Sequence, residues 1–356
     1  MEIKRTLLPP ERLKPLFENA LTLPFGRNFT DYMFTMEHLG KGEWVNPEIK
    51  PYQSLTLDPA AGVLHYSQEV FEGQKAYKSA NGRILLFRPR KNAARMNLSL
   101  RRMCMPEIPE ETFVEAEAEM VKLEERWIPI DKGAALYIRP TAIATEPALG
   151  VRPSSQYLFY IILSPVGSYF QEGFKPISLW VCDDYSRAGA GGTGEAKTGG
   201  NYAGSMLANQ NAGKKGYNQV LWLDAEKREY VEELSAMNIF FVIRDKLVTP
   251  ALSGNILHGI TRKSILEMSA DLGIEAEERR VPIREIVEGI DSGEVSEVFT
   301  AGTAAVVTPV GRIHFRGEDH LVGEETGPWT RKMFDTLTGI QYGEIADPYG
   351  WVYAVT

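Results

Sequence analysis

Gly191, Gly192, Gly194, Gly199 and Gly200 crowd one short stretch of the chain around Lys197, with Tyr202 five residues beyond the lysine. Glycine at this density is foreign to the interior of a helix or strand, so the stretch reads as a loop. Its backbone can take positive φ and approach a ligand closely. A lysine held there, away from bulk water, can lose its proton and serve as an amine nucleophile. The plainest reading of one loop lysine is still a solvated side chain. A phosphate-cradling P-loop does not fit, because that motif needs glycine directly before the lysine and this chain has Ala196.

At 356 residues the chain suggests about two domains, each with its own core. Its net charge, 39 − 47 = −8, argues against a nucleic-acid partner. The cysteines, Cys104 and Cys182, have no metal-type spacing, and the histidines form no ligand cluster, so no metal is expected. The first residues lack the apolar core of a signal peptide. The longest apolar run, Tyr157 to Leu163, is far short of a membrane span. A reduced, cytoplasmic protein with no membrane partner is the expectation.

Phe113, Ala116, Met120, Leu123 and Trp127 recur at helical spacing and predict one amphipathic helix. Strands are predicted at Arg83–Phe87, Ala134–Ile138, Gln156–Leu163, Ile177–Val181, Gln219–Leu223, Asn238–Ile243 and Glu297–Thr300, and helices over 203–213, 261–272 and 282–289. The stretch from Pro165 to Pro176 reads as a linker. The boundaries taken are a smaller first domain over 1–166, a linker over 167–180 and a larger second domain over 181–356. Mixed strands and helices in both halves predict α/β or α+β architecture.

Several segments carry chemistry. Glu233 stands 36 residues after Lys197 and just ahead of an apolar run. A lysine with a distant carboxylate is what pyridoxal phosphate requires: the lysine forms a Schiff base, and the acid keeps the pyridine nitrogen protonated. Gly259-Ile260-Thr261-Arg262 opens a helical pattern and would aim free N–H groups at an anion, although an ordinary helix start looks the same. Thr300 to Ala305 is a second such turn. Arg95 could pair with a phosphate, although an arginine on a helix is by default exposed. Tyr137 and Arg139 share one face of a strand and could bind a carboxylate. Tyr66 and Phe71 could line an apolar pocket, or be core.

Taken together, these segments resemble the branched-chain amino acid aminotransferases among the fold-type IV pyridoxal phosphate enzymes. The matching pieces include Phe29-Thr30-Asp31-Tyr32-Met33, Phe71-Glu72-Gly73, Tyr137-Ile138-Arg139-Pro140, Thr145 to Val151, Lys197-Thr198-Gly199-Gly200-Asn201-Tyr202, Met237-Asn238, Gly259 to Arg262 and Gly302-Thr303-Ala304. The resemblance implies a small N-terminal α/β domain and a larger domain with a pseudo-barrel of strands. It implies pyridoxal 5'-phosphate on Lys197, which also moves the α-proton. Glu233 would meet the ring nitrogen, and Tyr202 the phenolic oxygen. Arg95, Ile260, Thr261 and Thr303 would hold the phosphate, with Arg187 near the cofactor. Tyr137, Arg139 and the amides of Thr303, Ala304 and Ala305 would bind carboxylates. Phe29, Phe71 and Tyr169 would line the aliphatic pocket. Tyr66, Leu149 and Val151 would reach it from the second subunit of a homodimer. The activity implied is amino transfer between leucine, isoleucine or valine and 2-oxoglutarate, in two half-reactions. Ala305 and Thr308 stand where some relatives carry a Cys-x-x-Cys thiol switch, so no such switch is expected.

The rival on the same fold is a D-amino acid or (R)-amine transaminase, against which the Tyr137/Arg139 pair speaks. A lyase such as aminodeoxychorismate lyase would need a more polar pocket. A non-enzymatic phosphate- or nucleotide-binding module would use the glycine loop alone.

Overall fold

The computed structural model describes residues 2–167 and 174–355. The chain forms two compact units. One comprises Met1–Gln171, Ala196–Gly199 and Gly339–Thr356; the other comprises Glu172–Glu195 and Gly200–Thr338. In chain order the first unit supplies β1 (Lys4–Arg5), β2 (Tyr32–His38), β3 (Val45–Pro51), α1 (Gly62–Tyr66), β4 (Glu69–Phe71), β5 (Gln74–Lys78), β6 (Ile84–Phe87), α2 (Pro89–Arg102), α3 (Glu110–Leu123), β7 (Ala135–Ala144) and β8 (Tyr157–Val166). There follow β9 (Ile177–Cys182), α4 (Gly199–Ala203), α5 (Met206–Lys214), β10 (Gln219–Leu223), β11 (Val231–Leu234), β12 (Asn238–Ile243), β13 (Lys246–Pro250), α6 (Ile260–Ser269) and β14 (Ala276–Arg279). The chain continues through α7 (Ile283–Ser292), β15 (Val295–Gly302), β16 (Val306–Phe315), β17 (Glu318–Leu321) and α8 (Pro328–Gln341), and ends at β18 (Val352–Val355).

The sheet of the first unit runs β1-β3-β2-β8-β7-β5-β6-β18, with β4 also on β7. Its pairs are antiparallel except β1 with β3. Strand residues alternate between faces, and the two faces differ. Phe159, Ile161 and Leu163 of β8 share one core with Phe113, Ala116 and Met120 of α3 and Met96 and Leu100 of α2. Each large apolar side chain buried there contributes about 1.5–3 kcal/mol. On the other face, Leu158, Tyr160 and Ile162 are only half-buried. The register places Tyr160 opposite Thr141, and Ile162 opposite Arg139. Phe71 also stands opposite Thr141, and Glu69 opposite Ile143. One half-open face therefore carries Glu69, Phe71, Arg139 and Tyr160.

The second unit builds the order β11-β10-β9-β16-β15-β12-β13-β14, with β17 on β16. Parallel pairs, β9 with β10 and with β16, and β13 with β14, mix with antiparallel ones. β12 is buried along its whole length, which explains its unbroken apolar run.

The units differ from the expected domain boundaries in three places. Ile177 to Trp180, at the end of the expected linker, are part of strand β9. Ala196–Gly199 and Gly339–Thr356 belong to the first unit. In the last of these, β18 covers the edge of β6, with Val352 opposite Phe87 and Val355 opposite Ile84. Strand pairing over so long a sequence separation leaves no local pattern to read. The predicted strand Ala134–Ile138 runs on to Ala144 through Pro140, which stands opposite Ile161 in register. The helix predicted through Trp127 ends at Leu123, and Glu125–Trp127 forms a separate 3₁₀ turn.

Candidate active site

Lys197 is held by its backbone. Its N–H donates to Ser99 Oγ at 2.9 Å, and its carbonyl accepts from Phe71 N at 3.0 Å. Two residues on, Gly199 N donates to the Glu69 carboxylate. A side chain at 199 would displace that same carboxylate, so Gly199 lets Glu69 reach the backbone here. The Lys197 Nζ stands 4.9 Å from the centre of the Phe71 ring. The Arg139 guanidinium lies 4.7 Å from the same ring and donates to the Tyr137 hydroxyl at 3.1 Å. Tyr137 packs edge-on against Phe25, and a Cβ at Gly73 would meet its hydroxyl. The first unit thus gathers an amine, an apolar ring and a carboxylate-binding pair on one face of its sheet.

Arg95 is buried and committed to Glu72: Nε donates to Oε1 at 2.7 Å and Nη2 to Oε2 at 2.8 Å. Asn92 Nδ2 adds a 3.2 Å bond to Glu72 Oε2. Neither acid nor amide was singled out by sequence. Phe29 stacks on Tyr52 with ring centres 5.1 Å apart. Both line an open depression of about 720 Å³ with Lys14, Phe17, Arg27 and Trp127. Tyr66 is exposed and its hydroxyl donates to the Leu149 carbonyl. Leu149 and Val151 are also exposed, at 64% and 86%, an unusual amount of bare apolar surface for one loop. Tyr169 lies outside the described residues.

The second unit is organised around Glu233. It is fully buried, and burial pushes its carboxyl up from the ordinary range while Arg187 pulls it back. Arg187 Nη2 pairs with Glu233 Oε1 and also donates to the carbonyls of Gly194 and Asn255, each at 2.9 Å. Leu257 N donates to Oε1 at 3.0 Å. Asn238 Nδ2 serves Oε2 at 3.0 Å and the Leu257 carbonyl at 3.1 Å. A Cβ at Gly259 would collide with Asn238 Oδ1, so Gly259 lets the start of α6 close over the acid's support. No side chain caps α6 at Gly259, and the N–H groups of its first turn have no intrahelical acceptor. Ile260 and Thr261 stand in that turn and are buried. Thr303, Ala304 and Ala305 form the turn between β15 and β16 and are half-buried. Tyr202 lies in α4, half-buried. Among the described residues no cluster of His, Cys, Asp and Glu is placed to hold a metal ion, and no helix is long and apolar enough to cross a membrane.

Residues 69–313 match the family model for amino-transferase class IV. Branched-chain-amino-acid transaminase 1 of Bacillus subtilis is 50% identical over 336 residues, 94% of each chain. The branched-chain-amino-acid aminotransferase of Mycolicibacterium smegmatis is 48% identical over 342 residues, covering 94% of this chain and 93% of that one. Among solved structures, the branched-chain amino acid aminotransferase of Escherichia coli superposes with a TM-score of 0.77 at 28% identity, over 92% of this chain and 99% of the other. The enzyme of Thermoproteus uzoniensis, solved with norvaline, gives 0.77 at 26% identity, over 91% and 100%. The chain belongs to the class IV aminotransferases, and within them to the branched-chain amino acid aminotransferase family. Its mixed α/β fold of two sheets, one a half-barrel, is that of the fold-type IV enzymes.

Proposed function

We propose that this protein transfers the amino group reversibly between leucine, isoleucine or valine and 2-oxoglutarate, using pyridoxal 5'-phosphate, as a cytoplasmic homodimer. The observation that carries the reading is the backbone-anchored Lys197 with its amine over Phe71, on the sheet face that bears Tyr137 and Arg139. The donor set fits the cofactor. An uncapped helix start with a glycine at its threshold suits a phosphate, and a buried carboxylate suits a protonated ring nitrogen. Solved members of the family are described in pyridoxamine 5'-phosphate and pyridoxal 5'-phosphate forms.

When bound, the cofactor supplies an electron-accepting ring that makes the α-proton of an amino acid labile. Lys197 would hold it covalently and carry the proton to and from the α-carbon. Glu233 would keep the ring nitrogen protonated, with Arg187 and Leu257 N–H favouring its ionised form against the effect of burial. Tyr202 would hydrogen-bond the ring oxygen. Ile260 and Thr261 N–H, Thr303 and Arg95 would take the phosphate. Tyr137 and the amides of Thr303 to Ala305 would orient the substrate carboxylate. Phe29, Phe71 and Tyr169 would exclude water from the side chain, with Tyr66, Leu149 and Val151 contributed across the dimer.

An amino-donor panel with 2-oxoglutarate tests the reading. Leucine, isoleucine and valine should each exceed alanine by roughly tenfold or more, since one methylene in an apolar pocket is worth about 1–3 kcal/mol. A preference for D-alanine or (R)-1-phenylethylamine would end it; none of the relatives above supports that alternative. Borohydride reduction of the holoenzyme and peptide mapping should place the label on Lys197.

A further inference from the structure

One pocket must take both the apolar side chain of leucine and the second carboxylate of 2-oxoglutarate. A guanidinium waiting there without a counter-charge would penalise the apolar substrate, because a desolvated charge left unpaired is costly. The structure supplies a counter-charge. Glu69 lies two residues from Phe71 on the same strand face, opposite Ile143. Arg139 is four positions from Ile143 on that face of β7, with Thr141, the residue facing Phe71, between them, and its guanidinium lies over the ring of Phe71.

We propose that Glu69 is a specificity-determining residue that acts through Arg139: its negative charge balances the guanidinium when the side chain is apolar and competes with the second carboxylate when the substrate is a dicarboxylate. This rests on the transaminase reading above. Burial raises the Glu69 carboxyl above its ordinary range, and Arg139 and the Gly199 N–H oppose that rise. Other polar groups on this face include Tyr137 and Thr141 on β7, Tyr160 and Ser164 on β8, Thr35 and Glu37 on β2, Lys197 on the loop, and Lys75 on β5 opposite Tyr137, whose pKa burial lowers to about 8. Burial raises the Tyr160 hydroxyl above its ordinary range, with smaller and mutually opposing effects from Glu69 and Arg139. Glu69 also accepts the Gly199 N–H, a second duty that a neutral glutamine would keep through its amide oxygen.

The test is a ratio measured on the holoenzyme: kcat/KM for 2-oxoglutarate divided by kcat/KM for 4-methyl-2-oxopentanoate. In Glu69→Gln the ratio should rise roughly threefold or more, the effect of removing one partly screened charge. In Glu69→Asp, which keeps the charge, it should stay near the wild-type value. A residue that merely supported the loop would lower both constants together and leave the ratio unchanged, and that result overturns the proposal. The wild-type enzyme gives a second measurement if the variants do not fold. The inhibition constants of 4-sulfobutyrate and 4-methylpentanoate share one carboxylate titration and whatever Lys197 contributes, and the sulfonate stays ionised throughout. Their ratio should rise with pH as Glu69 becomes charged, read below the pH at which Lys75 begins to lose its proton; a flat ratio overturns the proposal. Wild-type enzyme inactive with leucine and 2-oxoglutarate would instead refute the transaminase reading itself.

Discussion

Glu72 with Arg95 in the first unit and Glu233 with Arg187 in the second are both buried carboxylate–arginine pairs, and the two are built in opposite senses. In the first unit, Arg95 presents two nitrogens to both oxygens of Glu72, which is also bonded by Asn92. The guanidinium is gripped in a fixed fork, the arrangement that aims an arginine. In the second unit a single nitrogen of Arg187 is shared among Glu233, Gly194 O and Asn255 O. There the carboxylate is the object held, by Arg187, Leu257 N and Asn238 together. A buried ion pair thus serves two ends: in one the acid positions the base, and in the other the base and its neighbours tune the acid.

Removing the acid should separate the two. Glu72→Gln breaks the fork and leaves Arg95 buried without its charge partner. It should cost about 3–5 kcal/mol of stability, read from chemical denaturation, and weaken cofactor retention in dialysis. A variant as stable as wild type would show that the fork is dispensable. Glu233→Gln retains an acceptor for Leu257 N and should fold with cofactor bound. Its half-reactions should slow by about 10²–10³, the usual loss when one preorganised electrostatic group is removed. Stopped-flow half-reactions at wild-type rate would place the acid elsewhere.

Arg139→Met probes a cation that neither pair governs. Loss of a charge-assisted hydrogen bond should impair 2-oxoglutarate and glutamate by roughly tenfold or more, and the leucine half-reaction much less. An equal fall in both would mean that Arg139 holds the site together and does not read the second carboxylate.

The smallest effect concerns Glu117, a buried carboxyl on α3 that accepts from the Gln74 amide beside Glu72. Burial, then the neighbouring Glu72, pushes its pKa well above the ordinary value. The folded protein keeps this proton after the unfolded chain has released it near pH 4, so the stability it contributes is present below that pH and is lost as pH rises. Glu117→Gln should differ from wild type by less than about 1 kcal/mol at pH 5 and gain relative stability toward pH 8. Urea midpoints that keep a constant offset across that range would contradict a neutral Glu117.

These acids show what the sequence made legible. β10 and β12 fall at Gln219–Leu223 and Asn238–Ile243, as predicted, because buried apolar runs bounded by polar residues announce themselves. Tyr137 and Arg139 could be placed on one face by strand periodicity alone. Glu117 drew no reading from the sequence, yet it stands four residues after Phe113 and three before Met120, on the buried stripe of α3. Glu69 shares the period-two face of Phe71 and carried the same kind of signal. Glu72, Asn92 and Ser99 carried none, since their roles depend on partners 20 or more residues away. Arg95 and Phe29 were assigned by resemblance, and their neighbours in the fold, Glu72 and Tyr52, come only from tertiary packing.

The edge strand β18 has a bearing on biogenesis. It is the last strand of the first unit to leave the ribosome, yet it pairs with β6, made 265 to 271 residues earlier. Trp351 packs edge-on against Phe87, and its carbonyl accepts the Arg88 N–H at 2.7 Å. Until that stretch emerges, β6 offers unpaired backbone to any neighbouring nascent chain, the usual setting for edge-to-edge association. Chaperone demand should therefore peak late in synthesis, and a ribosome stalled before residue 351 should display a first unit that is easily cut by protease near β6.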